Sequence, residues 1–176
     1  MRRFRKFPLL GLACALMAGA HAVAQDIDFD VDPEPQTAYQ AKQAVMGRRF
    51  MAATAHPLAT QSALRVLERG GSAIDAAIAA QMMLGLVEPQ SSGLGGGAFL
   101  LYYDAARDAV TFFDGRETAP AAVGETLFMR GAAPMPFLEA VDSGRSVGVP
   151  GLLRALEMAH ARHGKLPWPS LFDDAI

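Results

Sequence analysis

The residues best suited to chemistry lie in a polar cluster, residues 114–118 (DGRET), which directly follows an apolar run. Arg116 carries a planar guanidinium group that binds a carboxylate through two parallel hydrogen bonds. An arginine beside glycine just past a buried strand therefore suits a small anionic ligand. An arginine that is solvated or ion-paired at the surface is the commoner arrangement. We expect Glu117 to orient Arg116 or to cap nearby backbone, and not to act in catalysis.

A glycine-rich loop, residues 91–97, precedes the apolar run. Gly93, Gly95 and Ala98 can be fitted to the dinucleotide-binding fingerprint, with acidic residues about twenty positions further on. That fingerprint requires a strand before it and a helix after it. Here a predicted helix precedes the loop and a predicted strand follows, which argues against a nucleotide site. We expect the glycines to allow close backbone approach at the start of the strand, and a position beside the substrate stays open for the loop.

A β-hairpin is predicted to position these two motifs. Residues 98–103 (AFLLYY) and 109–113 (AVTFF) form the strands, and residues 104–108 form the turn. Aromatic and β-branched runs of this length, bounded by glycine and aspartate, are typical of hairpins.

Two helices are predicted before the glycine loop. The first begins at Pro57 and ends at Gly70-Gly71, and His56 is expected at its start. The second covers residues 73–87, with a capping box formed by Ser72 and Asp75. It is apolar on nearly every face, but 15 residues make only roughly 22 Å, too short to cross a membrane, so we expect it to be buried.

The chain after the hairpin gives weaker signals. Residues 120–146 are predicted to be mostly loop, with a short helix near 125–129. A further helix is expected to open at Pro150, to end at His163-Gly164 and to be followed by a turn at 166–169 and another helix that Leu171 begins. Its inward residues are expected to be Leu152, Leu153, Leu156 and Ala159. His160 and His163 lie three apart near its end, and because no third ligand is apparent we interpret them as surface residues and predict no metal site.

Several motifs carry a resemblance to a known family. They are PQSSGLGGG at 89–97, DGRETAP at 114–120, AHPLAT at 55–60 and VGVPG at 147–151. In this order they resemble the γ-glutamyltranspeptidase family, also called γ-glutamyltransferase or glutathione hydrolase. The resemblance runs from residue 45 to 176, and we interpret this stretch as the N-terminal part of the large subunit.

The resemblance implies a mixed α/β (α+β) fold that is part of the four-layer αββα sandwich of N-terminal-nucleophile hydrolases. In that family a precursor cleaves itself, and the new N-terminal threonine of the small subunit attacks glutathione or another γ-glutamyl compound. No cofactor is implied. The arginine that matches Arg116 holds the α-carboxylate of the γ-glutamyl group.

The threonines of this chain do not lie in the family's Thr-Thr-His-x-Ser type of context. They are Thr37, Thr54, Thr60, Thr111, Thr118 and Thr126. We therefore expect no catalytic residue within this chain and expect the nucleophile beyond Ile176, in the small subunit from the same precursor. Two alternatives stay open: a cephalosporin-type acylase or capsule-handling relative of the same family, and a catalytically silent binding or structural fragment.

The N-terminal residues predict export. Residues 1–24 resemble a signal peptide, with a basic start, an apolar stretch at 9–20 and an Ala-Val-Ala cleavage site at 22–24. Residues 25–44 form an acidic, proline-containing spacer. The apolar stretch is too short for a stable membrane span, so the mature protein is expected in the periplasm or secreted. A lipoprotein anchored through Cys14, the one cysteine, is disfavoured. With 16 basic and 18 acidic residues, nothing in the charge favours nucleic acid as a partner.

Overall fold

The computed structural model describes residues 43–176. The predicted signal peptide and nearly all of the acidic spacer lie outside these residues. None of the described helices combines the length and the apolar character needed to cross a membrane. Helices and strands are both present, in agreement with the expected α+β class.

Two helices open the described chain, as predicted. Helix α1 covers Pro57–Glu68 and helix α2 covers Ala73–Val87. The His56 Nδ1 atom accepts a hydrogen bond from the backbone N–H of Leu58 at 3.2 Å, so His56 starts α1 as expected. The turn between the helices needs glycine because Gly70 has a φ of 87°, in the left-handed region.

Helix α2 forms the centre of the core. The predicted capping box is present, since Ser72 N–H donates to Asp75 Oδ2 at 2.8 Å and Asp75 N–H donates to Ser72 Oγ at 3.1 Å. Both α1 and the C-terminal helix pack against it. The buried core consists of Ala63, Val66, Ile74, Ala76, Ile78, Ala79, Ala80, Met82, Phe113, Leu152, Ala155, Leu156, Ala159 and Leu171.

The predicted hairpin is confirmed and is slightly longer than expected. Strand β1 covers Ala98–Asp104 and strand β2 covers Ala109–Gly115, antiparallel, with Ala98 opposite Gly115. One face packs on the core. The other face is apolar yet exposed, and it carries Phe99, Leu101, Tyr103, Val110 and Phe112.

The prediction of a short helix near residues 125–129 is wrong. Residues 125–128 form a turn with hydrogen bonds between residues three apart, such as Leu127 N–H to Gly124 O at 3.2 Å. A short ribbon follows, made of β3 (Met129–Arg130) and β4 (Ala133–Pro134). Gly131, with a φ of 62°, allows the ribbon to reverse direction.

Two unpredicted helical pieces complete this region. They are helix α3, Phe137–Asp142, and a 3₁₀ turn, Gly144–Ser146. Neither buries a residue in the described chain, and at six and three residues both are too short for a helical period to be recognised in the sequence.

Helix α4 covers Leu152–His163, so it starts two residues after the predicted Pro150, and its inward face matches the prediction except at one residue. Leu152, Leu156 and Ala159 are buried as expected, together with Ala155. Leu153 was expected to face inward but is 39% exposed, because it follows Leu152 by about 100° around the helix. After α4, a 3₁₀ turn covers Trp168–Leu171. The prediction of a helix that begins at Leu171 is wrong, because residues 172–175 form bends and turns.

The interpretation of His160 and His163 as surface residues is wrong. The His160 side chain is 19% exposed, and its Nε2 atom lies 2.8 Å from Leu166 O and 3.5 Å from Asp75 Oδ1. His163 stacks on Tyr102, with ring centroids 4.1 Å apart. The chain turns back after Gly164 and covers the end of α4, so both rings join that helix to its neighbours.

The last residues return to α1 through Asp174. Its carboxylate accepts hydrogen bonds from Ser62 Oγ at 2.8 Å and from Arg65 Nε at 3.0 Å. Burial of the Asp174 carboxyl opposes ionisation, but the hydrogen bonds from Arg65 and Ser62 and the charges of Arg65 and Arg69 outweigh it. The pKa of Asp174 is therefore lowered below its ordinary value of 3.8.

Candidate functional site

Arg116 lies just past the end of β2, in the position predicted for it. Its backbone N–H donates to Asp114 Oδ1 at 3.0 Å, which fixes the direction in which the chain leaves the strand. The side chain is 69% exposed, and its Nη1 atom lies 3.4 Å from Glu117 Oε2. Arg116 is therefore held at its base, while most of its side chain is exposed.

Glu117 is tied both to Arg116 and to the glycine loop. Its Oε2 atom is buried and forms no hydrogen bond, so the contact with Arg116 is a charge pair without hydrogen-bond geometry. A Cβ atom placed on Gly97 would lie 2.5 Å from Glu117 Oε2 and 2.6 Å from Gly115 O. The expected close backbone approach is thus present at Gly97, whereas Gly93 and Gly95 face open space.

The segment 147–151 closes the other side of the site. Thr118 and Val149 form an antiparallel bridge, with N···O distances of 3.3 and 2.8 Å. A Cβ atom on Gly148 would lie 2.8 Å from the Glu117 Cβ atom, and one on Gly115 would lie 2.7 Å from the Ala155 Cβ atom. Glycine at these positions lets β2, the segment 147–151 and α4 meet almost backbone to backbone.

These segments border a cleft of about 500 Å³. That volume is within the ordinary range of sites for small molecules, about 300–1,000 Å³. Arg116 and Glu117 line it together with a second cation, Arg145, which the sequence analysis did not single out. Arg145 lies two residues before the VGVPG motif, so a search for charges flanking each motif would have found it. The cleft is lined by Gly95, Arg116, Glu117, Thr118, Ala119, Pro120, Leu127, Phe128, Arg145, Ser146, Val147 and Gly148.

A larger groove, of about 1,020 Å³, lies between α2, α4 and the C-terminal residues. Its walls are mostly apolar and include Leu86, Leu153 and Trp168, and it contains none of the residues of the predicted cluster. We place the candidate site in the smaller cleft because charged groups that suit an anion converge there. In the part of the chain that the structure describes, no three metal-ligating side chains come together.

Comparison with known proteins decides the family. The family model described as Gamma-glutamyltranspeptidase matches residues 59–176. This chain belongs to the gamma-glutamyltranspeptidase family. It is 40% identical over 157 residues to the glutathione hydrolase proenzyme of Bacillus subtilis (strain 168), an alignment that covers 88% of this chain and 27% of the relative. The chain thus spans about a quarter of the length of the curated relatives that it matches first.

Solved structures agree with the family assignment. The gamma-glutamyltranspeptidase of Helicobacter pylori aligns with a TM-score of 0.71 and 30% identity, over 76% of this chain and 38% of that one. The Pseudomonas nitroreducens gamma-glutamyltranspeptidase, complexed with L-DON, aligns with a TM-score of 0.67 and 31% identity, over 72% and 37%. A cephalosporin acylase from Bacillus halodurans aligns with a TM-score of 0.59 and 28% identity, over 81% and 26%. The gamma-glutamyltranspeptidase motifs at 89–97, 114–120 and 147–151 are the segments that meet at the cleft.

Proposed function

We propose that this chain is the N-terminal part of an exported γ-glutamyltranspeptidase precursor that cleaves glutathione and transfers or hydrolyses its γ-glutamyl group. The observation that carries the proposal is the placement of Arg116 in a cleft that three of the four family-like motifs border, with most of the Arg116 side chain exposed. The names of the curated relatives favour glutathione as the substrate over other acyl compounds.

Arg116 binds the α-carboxylate of the γ-glutamyl group in this proposal. A carboxylate that leaves water for a cleft must be paired, and a guanidinium group pairs with it in a fixed orientation. Glu117 holds Arg116 from the opposite side through the 3.4 Å contact. The ligand's carboxylate then points the γ-amide away from β2 and toward the residues that perform the chemistry.

The reaction needs a nucleophile that we assign to the small subunit of the same precursor. The hydroxyl oxygen of an N-terminal threonine attacks the γ-carbonyl carbon, and its own amine accepts the hydroxyl proton. The C–N bond then breaks, the leaving amine takes up the proton, and a γ-glutamyl-threonine ester remains. Water or an acceptor amine attacks this ester and releases the threonine. Arg116 supplies binding and orientation in both steps, and no cofactor takes part.

The exposed face of the hairpin supports the fold that we propose for the complete protein. Phe99 and Phe112 pack on each other there, with ring centroids 5.7 Å apart. A sheet that is apolar on both faces belongs between two layers. We assign the hairpin to one of the two stacked sheets of a four-layer αββα sandwich, with α1, α2 and α4 in the adjoining helical layer.

The proposed processing follows from the N-terminal residues. Residues 1–24 are a signal peptide removed on export, residues 25–44 are a spacer, and residues 45–176 belong to the large subunit. The mature protein is then periplasmic or secreted. Mass spectrometry of the exported protein tests this: a mature N-terminus at Gln25 is expected, and an intact Met1 in the exported fraction would contradict it.

Replacement of Arg116 tests the assignment of substrate binding. The protein is expressed from its complete reading frame, and KM and kcat are measured for glutathione and for γ-glutamyl-p-nitroanilide. Arg116→Ala is expected to raise KM for both substrates about ten-fold to a hundred-fold, since hydrogen bonds to charged groups contribute about 1.5–3 kcal/mol. Arg107→Ala, at the exposed hairpin turn, is the matched control and is expected to leave KM unchanged.

Other outcomes distinguish the alternatives. An unchanged KM in Arg116→Ala would overturn the role of Arg116. Cleavage of a cephalosporin side chain without cleavage of either γ-glutamyl substrate would favour an acylase, which the similarity to the Bacillus halodurans enzyme makes the second candidate. A wild-type protein that cleaves none of the three would be a binding or structural protein.

A further inference from the structure

We propose that Arg145 is a second substrate-binding residue of the cleft and that it takes a second carboxylate of the substrate, on the leaving-group side. For glutathione this is the carboxylate of the terminal glycine. The inference rests on the proposed function, because it assumes that Arg116 holds the α-carboxylate of the γ-glutamyl group.

The first observation is the way in which Arg145 is held. Its Nη1 atom donates to the carbonyl oxygen of Leu127 at 3.1 Å and lies 3.3 Å from Met135 Sδ. One arm of the guanidinium group is therefore fixed to the wall formed by residues 127–135. An arginine has five N–H donors, so most of them stay available. Among residues 43–176, no carboxylate forms an ion pair with Arg145.

The second observation is the charge of the cleft. Two arginines and one glutamate line it, so the charges sum to +1. Glu117 lies against Arg116 and compensates it. The uncompensated charge is that of Arg145. The γ-glutamyl group carries an ammonium and a carboxylate and has no net charge, whereas glutathione has a second carboxylate and a net charge of −1. That net charge matches the +1 of the cleft, and the second carboxylate is the group left for Arg145.

The third observation is size. Three residues of extended chain reach roughly 10 Å at 3.3–3.6 Å each, and glutathione carries a carboxylate at each end of such a chain. A cleft of about 500 Å³ that is lined by Arg116, just past β2, and by Arg145 offers one cation for each end of such a chain. γ-Glutamyl-p-nitroanilide carries only the α-carboxylate of the γ-glutamyl group. Comparing KM for the two substrates therefore distinguishes the role of Arg145 from that of Arg116.

A purely structural role for Arg145 makes a different prediction. If Arg145 only fastens residues 127–135 to the cleft wall, its loss disturbs Leu127 and Phe128, which line the cleft for every substrate. KM would then rise equally for both substrates. A charge that binds the second carboxylate affects glutathione alone, and its effect decreases as salt screens it.

The test compares Arg145→Ala, Arg145→Lys and the control Arg107→Ala in the protein expressed from its complete reading frame. Arg145→Ala is expected to raise KM for glutathione about ten-fold, equivalent to about 1.4 kcal/mol. KM for γ-glutamyl-p-nitroanilide is expected to stay within about two-fold, the scatter of ordinary surface substitutions. Arg145→Lys keeps the charge and is expected to recover part of the glutathione affinity. Raising the salt concentration should narrow the difference between Arg145→Ala and wild type for glutathione.

Equal KM changes for the two substrates, or no change for either, would overturn the proposal. If Arg145→Ala does not fold, Arg145→Lys decides: a lysine variant that weakens both substrates alike also overturns it. The result for Arg116→Ala is independent. A normal effect of Arg116→Ala without a selective effect at Arg145 refutes this inference and leaves the proposed function in place. A wild-type protein without γ-glutamyl activity refutes both.

Discussion

Replacing Asp75 with alanine tests a fully buried polar interaction of the described chain. Asp75 is 0% exposed, and its Oδ2 atom accepts three backbone N–H groups: Ser72 at 2.8 Å, Lys165 at 2.9 Å and Leu166 at 3.1 Å. It therefore caps α2 and also fastens the segment that follows α4 to the start of α2. Its other oxygen, Oδ1, lies 3.5 Å from His160 Nε2.

The expected loss of stability follows from these contacts. Asp75→Ala leaves three backbone donors without their partner, at about 1–3 kcal/mol for each donor that stays buried. The backbone N–H of Ser72 lies at a helix start, where water can replace part of the lost hydrogen bonding. We therefore expect Asp75→Ala to lower the free energy of unfolding by about 3–5 kcal/mol in total. Ser72→Ala is the matched control. It removes only the bond from Asp75 N–H, a loss of about 1 kcal/mol.

Urea denaturation followed by tryptophan fluorescence measures the difference. Trp168 is the only tryptophan in the chain, and its ring centroid lies 5.2 Å from that of His160, so its emission reports on this region. Asp75→Asn keeps an oxygen acceptor and is expected to fall between Asp75→Ala and Ser72→Ala. If Asp75→Ala costs no more than Ser72→Ala, the bonds to residues 165 and 166 contribute nothing and the reasoning is refuted.

Two further changes test the packing of the site and the electrostatics of the C-terminal segment. Gly97→Ala is expected to lower the free energy of unfolding by about 1–3 kcal/mol, because the added methyl group overpacks against Glu117. Gly95 faces open space, so Gly95→Ala is expected to be near neutral. Equal urea midpoints for the two variants would contradict this prediction. Asp174→Asn is expected to cost about 1 kcal/mol at neutral pH. Because the folded-state pKa of Asp174 is lowered, its contribution is present above the ordinary value of 3.8 and disappears as the pH falls through the folded-state pKa. Wild type and Asp174→Asn should therefore converge in stability at acidic pH, and a constant difference down to pH about 2 would refute the assignment.

The elements that sequence predicted well have local causes. Helix α2 has a capping box at its start and an apolar surface that requires burial, and the hairpin has two apolar, aromatic-rich strands with a polar turn between them. The region 120–146 was poorly predicted because its short ribbon and helix bury nothing and depend on turns between neighbouring residues. The contacts of His160 also escaped prediction, because they come from residues 165–168 turning back over α4.

Only one of the two arginines in the cleft, Arg116, could be found from sequence. Arg116 lies inside a motif that resembles the family, and its position past a strand is a local property of the chain. Arg145 lies in a loop with no strand or helix signal of its own. The bridge between Thr118 and Val149 brings its segment beside the residues that follow β2. Pairing between segments distant in sequence leaves no periodicity to detect, so the second arginine required the structure.

The structure also explains why a glycine loop that can be fitted to a nucleotide fingerprint lacks the features of a phosphate site. A phosphate loop turns backbone N–H groups toward the anion at the start of a helix. Here α2 precedes the loop and β1 follows it, as the sequence predicted. The Gly96 carbonyl oxygen faces α4 and accepts from Leu152 N–H at 3.2 Å, and Gly97 lies against the Glu117 carboxylate. A carboxylate in that position repels a phosphate, but it holds an arginine in place. Gly97 thus serves the proposed anion site indirectly, because it makes room for Glu117, which lies against Arg116.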